Sequence, residues 1–386
     1  MNLDTLLAHV GSDPKRFEGL VNPPVSRAST IVHESMTAFN AALSNKHEVP
    51  YYGRYGTATS KVLSAACATL EGGDGALLYP SGLAAITGVL TTLLKPGSHL
   101  LMVDTVYGPV REFCEHILAH QGVTTTWYPA DIGAGIAQLL TPQTHVIYGE
   151  SPGSLTFEMQ DLPAISQAAQ GRSITVVVDN TWATPYFFRP LDHGAHISIQ
   201  AGTKYLVGHS DVMLGVAVTR HEHLSLLQRA AALGGNSVSP DDCYLALRGM
   251  RTLGVRLKQH YRGAMEVATW MQSRPEVRQV LYPPLAHGPD LEIWKRDFTG
   301  ASGLFGVEFH TGIDHAAIAR FVDGLTLFGI GVSWGGYESL VLPSHPKRTL
   351  GSSHQGPLVR FHIGLEDPQD LIDDLHNSLA ASGLTP

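Results

Sequence analysis

Along the middle of the chain, short runs rich in aliphatic and β-branched residues alternate with stretches whose apolar residues recur every three or four positions. The runs GALLYP (75–80), HLLMVD (99–104), VTTTWY (123–128), HVIYGE (145–150), ITVVVD (174–179), ISIQA (197–201) and VMLGVAVT (212–219) read as strands. Between them GLAAITGVLTTLL (82–94) and LPAISQAAQG (162–171) read as helices. The segment after Tyr107 places Val110, Phe113, Cys114, Ile117 and Leu118 on one helical face. Strands apolar on both faces and separated by helices predict an α/β fold with a mostly parallel sheet covered on both sides. Ligands of such sheets bind beyond the carboxyl ends of the strands.

The pattern changes near residue 235. SPDDCYLALRGMRTLGVRLKQHYRGAMEVATWMQ opens with Ser239 as a helix N-cap and Pro240 in the first turn, and then runs helical. Beyond it, strands such as SGLFGVEFH and LVRFHIG mix with helices such as DHAAIARFVDGL and DPQDLIDDLHNSLAAS, which reads as a smaller α+β domain. The first fifty-odd residues have weak periodicity and read as an extended arm. The expected organisation is therefore an arm over 1–55, a large domain over 56–238 and a smaller domain over 239–386.

Composition narrows the class. A chain of 386 residues exceeds what one core usually supports, so more than one domain fits. The net charge of −8 and the lack of a Lys/Arg cluster argue against a nucleic-acid surface. Cys67, Cys114 and Cys243 are scattered and odd in number, which suits a reducing cytoplasm better than a disulfide framework or a zinc site. The opening MNLDTLLAHV lacks the features of a signal peptide. The long uncharged run 77–94 is broken by Pro80, Ser81 and Gly82, so it reads as strand–turn–helix rather than a membrane span. The 20 histidines include no HExxH pattern, and no metal is expected.

Chemistry enters with Lys204, which interrupts the apolar stretch ISIQAGTKYLVG. A desolvated lysine gives up its proton readily and attacks carbonyls. Asp179 ends the preceding strand; alone it reads equally well as a turn aspartate. Together, an imine-forming lysine and a carboxylate at adjacent strand ends suit pyridoxal phosphate, whose aldehyde joins lysine and whose ring nitrogen wants an anion. LYPSGLAA supplies a phosphate site, Ser81 and Gly82 turning a strand into a helix whose first amides favour an anion. Thr203 adds a hydroxyl. Tyr107 lies at the same edge, where its ring could stack on a planar cofactor or begin a helix in the core. Arg360 lies inside the apolar strand LVRFHIG, and a buried guanidinium calls for a carboxylate, from an internal ion pair or from an amino-acid substrate. The segment GESPG (149–153) also matches the nucleophile elbow of serine hydrolases. That motif needs the backbone N–H after the serine for its oxyanion hole, and Pro152 has none.

The ordered motifs YGRYGTATS, LYPSGLAA, VYGP, ESPGS, VVDNTWA, SIQAGTKYLVGHSD, GMRTLGVRLKQH, SWGGYESL and VRFHIGLED span nearly the whole chain. Together they resemble the Cys/Met-metabolism family of pyridoxal-phosphate enzymes. Trp182, the GTAT and ESPGS strings and Trp334 resemble its bacterial β-lyase branch. The resemblance implies fold-type I, aspartate-aminotransferase-like, with a seven-stranded large-domain sheet. It implies Lys204, Tyr107 and Tyr52 as catalytic residues, with Asp179 on the ring nitrogen and Tyr107 stacked on the ring. Ser81, Gly82, Leu83 and Thr203 would hold the phosphate. Arg360, Ser333, Trp334 and Tyr107 would bind substrate. Tyr52 and Arg54 would come from a neighbouring subunit in a dimer of dimers. Ala201 stands where relatives often carry a phosphate-binding serine. The implied reaction is β-elimination of L-cystathionine to L-homocysteine, pyruvate and ammonia. A lyase for cysteine, cystine or S-alkylcysteine, a γ-lyase, and a non-catalytic pyridoxal-phosphate-binding protein are the alternatives these residues leave open.

Overall fold

The computed structural model describes residues 1–351 and 354–384. Its larger sheet contains β1 Gly75–Tyr79, β2 His99–Val103, β3 Thr124–Tyr128, β4 Thr144–Glu150, β5 Thr175–Asp179, β6 Ile197–Ala201 and β7 Gly215–Thr219. The spatial order is β1-β7-β6-β5-β4-β2-β3. Only β7 runs against its neighbours β1 and β6, and the remaining pairs are parallel. Every residue of β2 and β7 is buried, as strands covered on both faces require. Because β1, β2, β4, β5 and β6 share a direction, Pro80, Asp104, Glu150, Asp179 and Ala201 meet along one carboxyl edge.

The smaller sheet holds β8 Val277–Leu281, β9 Leu304–Phe309, β10 Gly329–Ile330, β11 Leu340–Ser344 and β12 Leu358–His362. Its order is β10-β11-β12-β9-β8, so β12 is central. One apolar core runs beneath both sheets. Trp182 joins them: its indole N–H donates to Leu304 O at 3.0 Å, and its ring packs edge-on against Tyr282 and Phe298.

Three local expectations change. The helical run after Ser239 breaks at Thr252 into Pro240–Arg251 and Leu253–Gln272. The strand read over 212–219 begins only at Gly215, because Leu214 instead pairs with the Thr203 hydroxyl through its N–H (2.9 Å) and carbonyl (3.2 Å). The N-terminal stretch contains two short helices, Leu3–His9 and Met36–Ser44. The first docks on its own chain: Leu7 is buried, Asp4 pairs with Lys258 at 2.6 Å, and Arg251 donates to the carbonyls of Leu7 and Ala8. The second buries only Ala42, and nearby Val32 is 89% exposed. Among the described residues no helix is long and apolar enough to cross a membrane.

Candidate active site

At the carboxyl edge of the large sheet, Asp179 closes β5. Thr181 donates to its Oδ1 twice, through the backbone N–H at 2.8 Å and the hydroxyl at 2.5 Å. The same hydroxyl accepts the Ala201 N–H at 2.8 Å, so Thr181 fastens the ends of β5 and β6 together. In register with Asp179, Glu150 closes β4 and accepts the Tyr107 N–H at 2.8 Å. Burial pushes both carboxyls above their ordinary range, and the Asp179 charge pushes Glu150 further. Thr181 and Lys204 oppose this rise at Asp179, and Tyr107 and Ser154 oppose it at Glu150.

Lys204 follows β6 in a turn whose Lys204 N–H reaches Ala201 O at 3.0 Å. Its ammonium is lowered from 10.5 to about 8, first by burial and then by Arg360, with Asp179 opposing. The amine donates to the Ser333 hydroxyl and lies 5.3 Å from the Trp334 ring. Arg360, buried on β12, donates from Nη2 to Ser333 O at 2.9 Å and Gly331 O at 3.2 Å. Its Nε is buried without a partner, and no carboxylate among the described residues forms an ion pair with it. The internal ion pair left open by the sequence is therefore absent there.

Ser81 caps the helix Gly82–Leu93, accepting the Ala84 N–H at 3.1 Å. A Cβ on Gly82 would come within 2.5 Å of the Ala201 Cβ, so only glycine lets the helix start lie against the end of β6. The N–H groups of Gly82 and Leu83, at the start of this helix, have no intrahelical acceptor. Tyr107 stands just before the helix Gly108–Phe113 with the residue 45% exposed, which rules out a core role. Its phenol is raised first by burial, then by Glu150 and Asp179.

This donor set fits pyridoxal phosphate. An amine near neutrality suits the aldehyde, and a buried carboxylate calls for the counter-charge of a protonated ring nitrogen. Open amides at a helix start suit the phosphate, and an unpartnered guanidinium edge suits a carboxylate. Thr203 fits less directly, since its hydroxyl proton is engaged by Leu214 O.

Tyr52 and Arg54 are not brought to this cluster. Tyr52 bonds with Ser29 at 3.5 Å, and Arg54 donates to Ala232 O at 2.5 Å. Arg54 lines a separate pocket of about 160 Å³ with Lys61, whose buried amine has no hydrogen-bond partner. Ser151 is buried and accepts the Gln160 N–H at 3.0 Å, a structural use that ends the hydrolase reading.

The sequence reading missed Thr181, Glu150 and Glu71. Glu150 carried the same signal as Asp179, a carboxylate closing an apolar strand. Glu71, fully buried at the end of the helix Ala58–Glu71, accepts at Oε1 from Ser198 (2.7 Å), Gln200 (2.8 Å) and Asn180 (3.3 Å). It thus supports β6 and the residue after Asp179 from behind. Nothing local distinguishes it from a solvated helix glutamate.

Fold and site together define an enzyme of the fold-type I pyridoxal-phosphate class. Residues 4–380 match the family described as Cys/Met metabolism PLP-dependent enzyme, and the chain belongs to that family. It is 44% identical to a putative cystathionine beta-lyase of Rhizobium johnstonii, over 98% of this chain and 96% of that one. It is 43% identical to cystathionine beta-lyase MetC of Escherichia coli, over 98% of each. Among solved structures, metB from Corynebacterium glutamicum superposes with a TM-score of 0.90 at 31% identity, covering 99% of this chain and 98% of that one.

Proposed function

We propose that this chain is a pyridoxal-phosphate-dependent carbon–sulfur β-lyase that converts L-cystathionine and water to L-homocysteine, pyruvate and ammonia. The observation carrying this reading is a half-buried lysine of lowered pKa between Asp179 and Arg360, in a chain 43–44% identical to two proteins named cystathionine beta-lyase. Lys204 would hold the cofactor covalently, Asp179 its ring nitrogen and Tyr107 its ring face. Ser81, Gly82 and Leu83 would hold its phosphate, with Thr203 once its hydroxyl turns.

When bound, pyridoxal phosphate supplies an electron sink for the substrate α-carbon. Asp179 keeps that sink effective by holding a positive charge at the ring nitrogen. Arg360, with Ser333 and Trp334 beside it, orients the substrate through its α-carboxylate. The free Lys204 amine, neutral over much of the range above pH 8, removes the α-proton. The β-carbon–sulfur bond then breaks, and Lys204 or Tyr107 returns a proton to the leaving thiolate. Water converts the remaining three-carbon fragment to pyruvate and ammonia. Incubation with L-cystathionine tests this directly. Pyruvate is expected; 2-oxobutyrate would mean γ-elimination, and no keto acid would remove the lyase reading.

The same reading makes the enzyme a dimer of dimers in the cytoplasm, where its three buried free thiols persist reduced. The exposed segment around Val32 and Met36, together with Tyr52 and Arg54, would cross to a second copy and complete its phosphate site. Arg54 contacts Ala232 O of its own chain and, among the described residues, none of those around Lys204, which supports this exchange. Mixing inactive Lys204→Ala and Arg54→Ala chains during refolding should restore roughly a quarter of wild-type activity, because half the dimers are hybrids with one intact site. A dead mixture containing hybrids would show that Arg54 serves its own chain.

A further inference from the structure

The turn from Gly331 to Gly335 carries Ser333 and Trp334 to Lys204, and its backbone is unusual. Ser333 has φ +92° and Gly335 φ +90°, a left-handed region that a serine enters only when neighbours hold it there. A Cβ on Gly335 would meet Lys204 Cα at 3.0 Å, so the turn lies flush on the backbone of the lysine. The central strand β12 grips it from behind. Arg360 donates to the carbonyls of Gly331 and Ser333. Two residues on, on the same face, His362 Nε2 accepts the Gly335 N–H at 3.1 Å. His362 Nδ1 donates to Glu338 O at 3.1 Å, just past the turn.

Those two bonds fix the imidazole tautomer. A carbonyl can only accept, so Nδ1 carries the proton; a backbone N–H can only donate, so Nε2 is bare. His362 is fully buried, with the His260 and Tyr205 rings at 5.3 and 5.8 Å. Burial, His260, Arg360 and Lys204 all keep it neutral. The acceptor nitrogen therefore stays bare at and above neutral pH.

We propose that His362 is a positioning residue for the reaction: by accepting the Gly335 N–H it holds the 331–335 turn against Lys204, setting where Ser333 and the Arg360 guanidinium meet a substrate carboxylate. The carboxylate part rests on the function proposed above; the hold on Gly335 does not. His362 acts through its bonds to Gly335 and Glu338.

Three variants separate the hold from simple packing. His362→Gln can place its side-chain oxygen where Nε2 lies, His362→Asn is too short to reach Gly335, and His362→Leu removes both bonds at similar volume. Two quantities are measured: deuterium exchange at the Gly335 amide in the cofactor-free protein, by fragmentation mass spectrometry, and KM against kcat for L-cystathionine. With Leu and Asn, exchange at Gly335 should rise about tenfold or more as the amide loses its acceptor. KM should rise by a similar factor while kcat changes less and cofactor absorbance stays as in wild type. Gln should restore both to within about threefold, the rescue expected if the acceptor alone matters. Unchanged exchange in Asn would overturn the proposal. So would a KM equally raised in Gln and Asn while Gln restores exchange, because the residue would then act through packing. If His362→Leu fails to fold, the Asn and Gln pair still decides. Failure of the carboxylate reading would appear separately, as an Arg360→Ala enzyme with unchanged KM.

Discussion

The carboxyl edge of the large sheet holds Asp179, Glu150 and Lys204 by backbone topology, whereas the small sheet holds Ser333 and Trp334 by side chains gripping a loop. Parallel strands in fixed register bring Asp179 beside Glu150, and Thr181 adds only local fastening. On the other side, β12 supplies Arg360 and His362, and the residues that meet Lys204 are carried by a turn with two left-handed positions. A topology-built half resists single substitutions in placement and fails only in chemistry. A gripped half can lose placement while its chemistry stays intact. Substitutions in the first half should therefore lower kcat, and those in the second should chiefly raise KM.

Lys204→Ala should have the largest effect, lowering kcat by on the order of 10³-fold or more, since in the proposed function both nucleophile and proton carrier go. Borohydride reduction of the wild-type holoenzyme should fix cofactor to the Lys204 peptide and to no other. In cofactor-free protein, competitive acylation followed by mass spectrometry should give Lys204 a midpoint near 8 rather than 10.5. A midpoint at the ordinary lysine value would mean that the amine is solvated, and the buried site would need redrawing.

Next comes Asp179→Asn, expected to fold and to lower kcat by about 10²-fold, as when one electrostatic partner of a developing charge is removed. Its KM should move little. Arg360→Ala tests the gripped half: losing a charge-assisted pair costs about 1.5–3 kcal/mol, so KM should rise roughly 10- to 100-fold. The cofactor absorbance should remain. If Arg360→Ala released cofactor while substrate affinity held, the contrast between the halves would collapse.

What the sequence made visible follows the same division. An apolar strand closed by a charge is a local signal, and so Asp179, Lys204 and the seven strands could be placed from pattern alone. Glu150 carried the same signal, hidden because GESPG drew attention to its serine. The direction of β7 was not visible, since hydrophobic pattern does not distinguish parallel from antiparallel neighbours. Nor was the break at Thr252, because both flanking helices keep one periodicity. Ser333 and His362 were beyond local reading: the hold on Gly335 joins positions 27 residues apart, and its strain exists only in the folded chain. Arg360 was legible as an anomaly, a cation within an apolar strand, although its grip on the turn was not.

Glu71 gives the smallest expected effect on activity and the sharpest test of how firmly topology alone holds the first half. The side chain is fully buried, Oε1 accepts from Ser198, Gln200 and Asn180, and Oε2 has no partner. Burial raises its carboxyl from 4.5 to about 7, against the pull of those donors and Arg189. Because the folded pKa lies above the unfolded one, the folded state holds the extra proton between those values. The stability this provides is complete below about pH 4.5 and is lost as pH rises through about 7. Glu71→Gln keeps an acceptor for all three donors and cannot ionise. It should flatten the fall in thermal midpoint between about pH 4.5 and 7 relative to wild type, while kcat at pH 8 stays within about threefold. Glu71→Leu, by contrast, strands three buried donors at about 1–3 kcal/mol each and should destabilise at every pH. If β6 and Asn180 are held by strand pairing alone, the Leu variant that still folds will keep its kcat. If Glu71 is needed to seat them, kcat will fall with KM unchanged, and the large-sheet half will prove to be gripped as well.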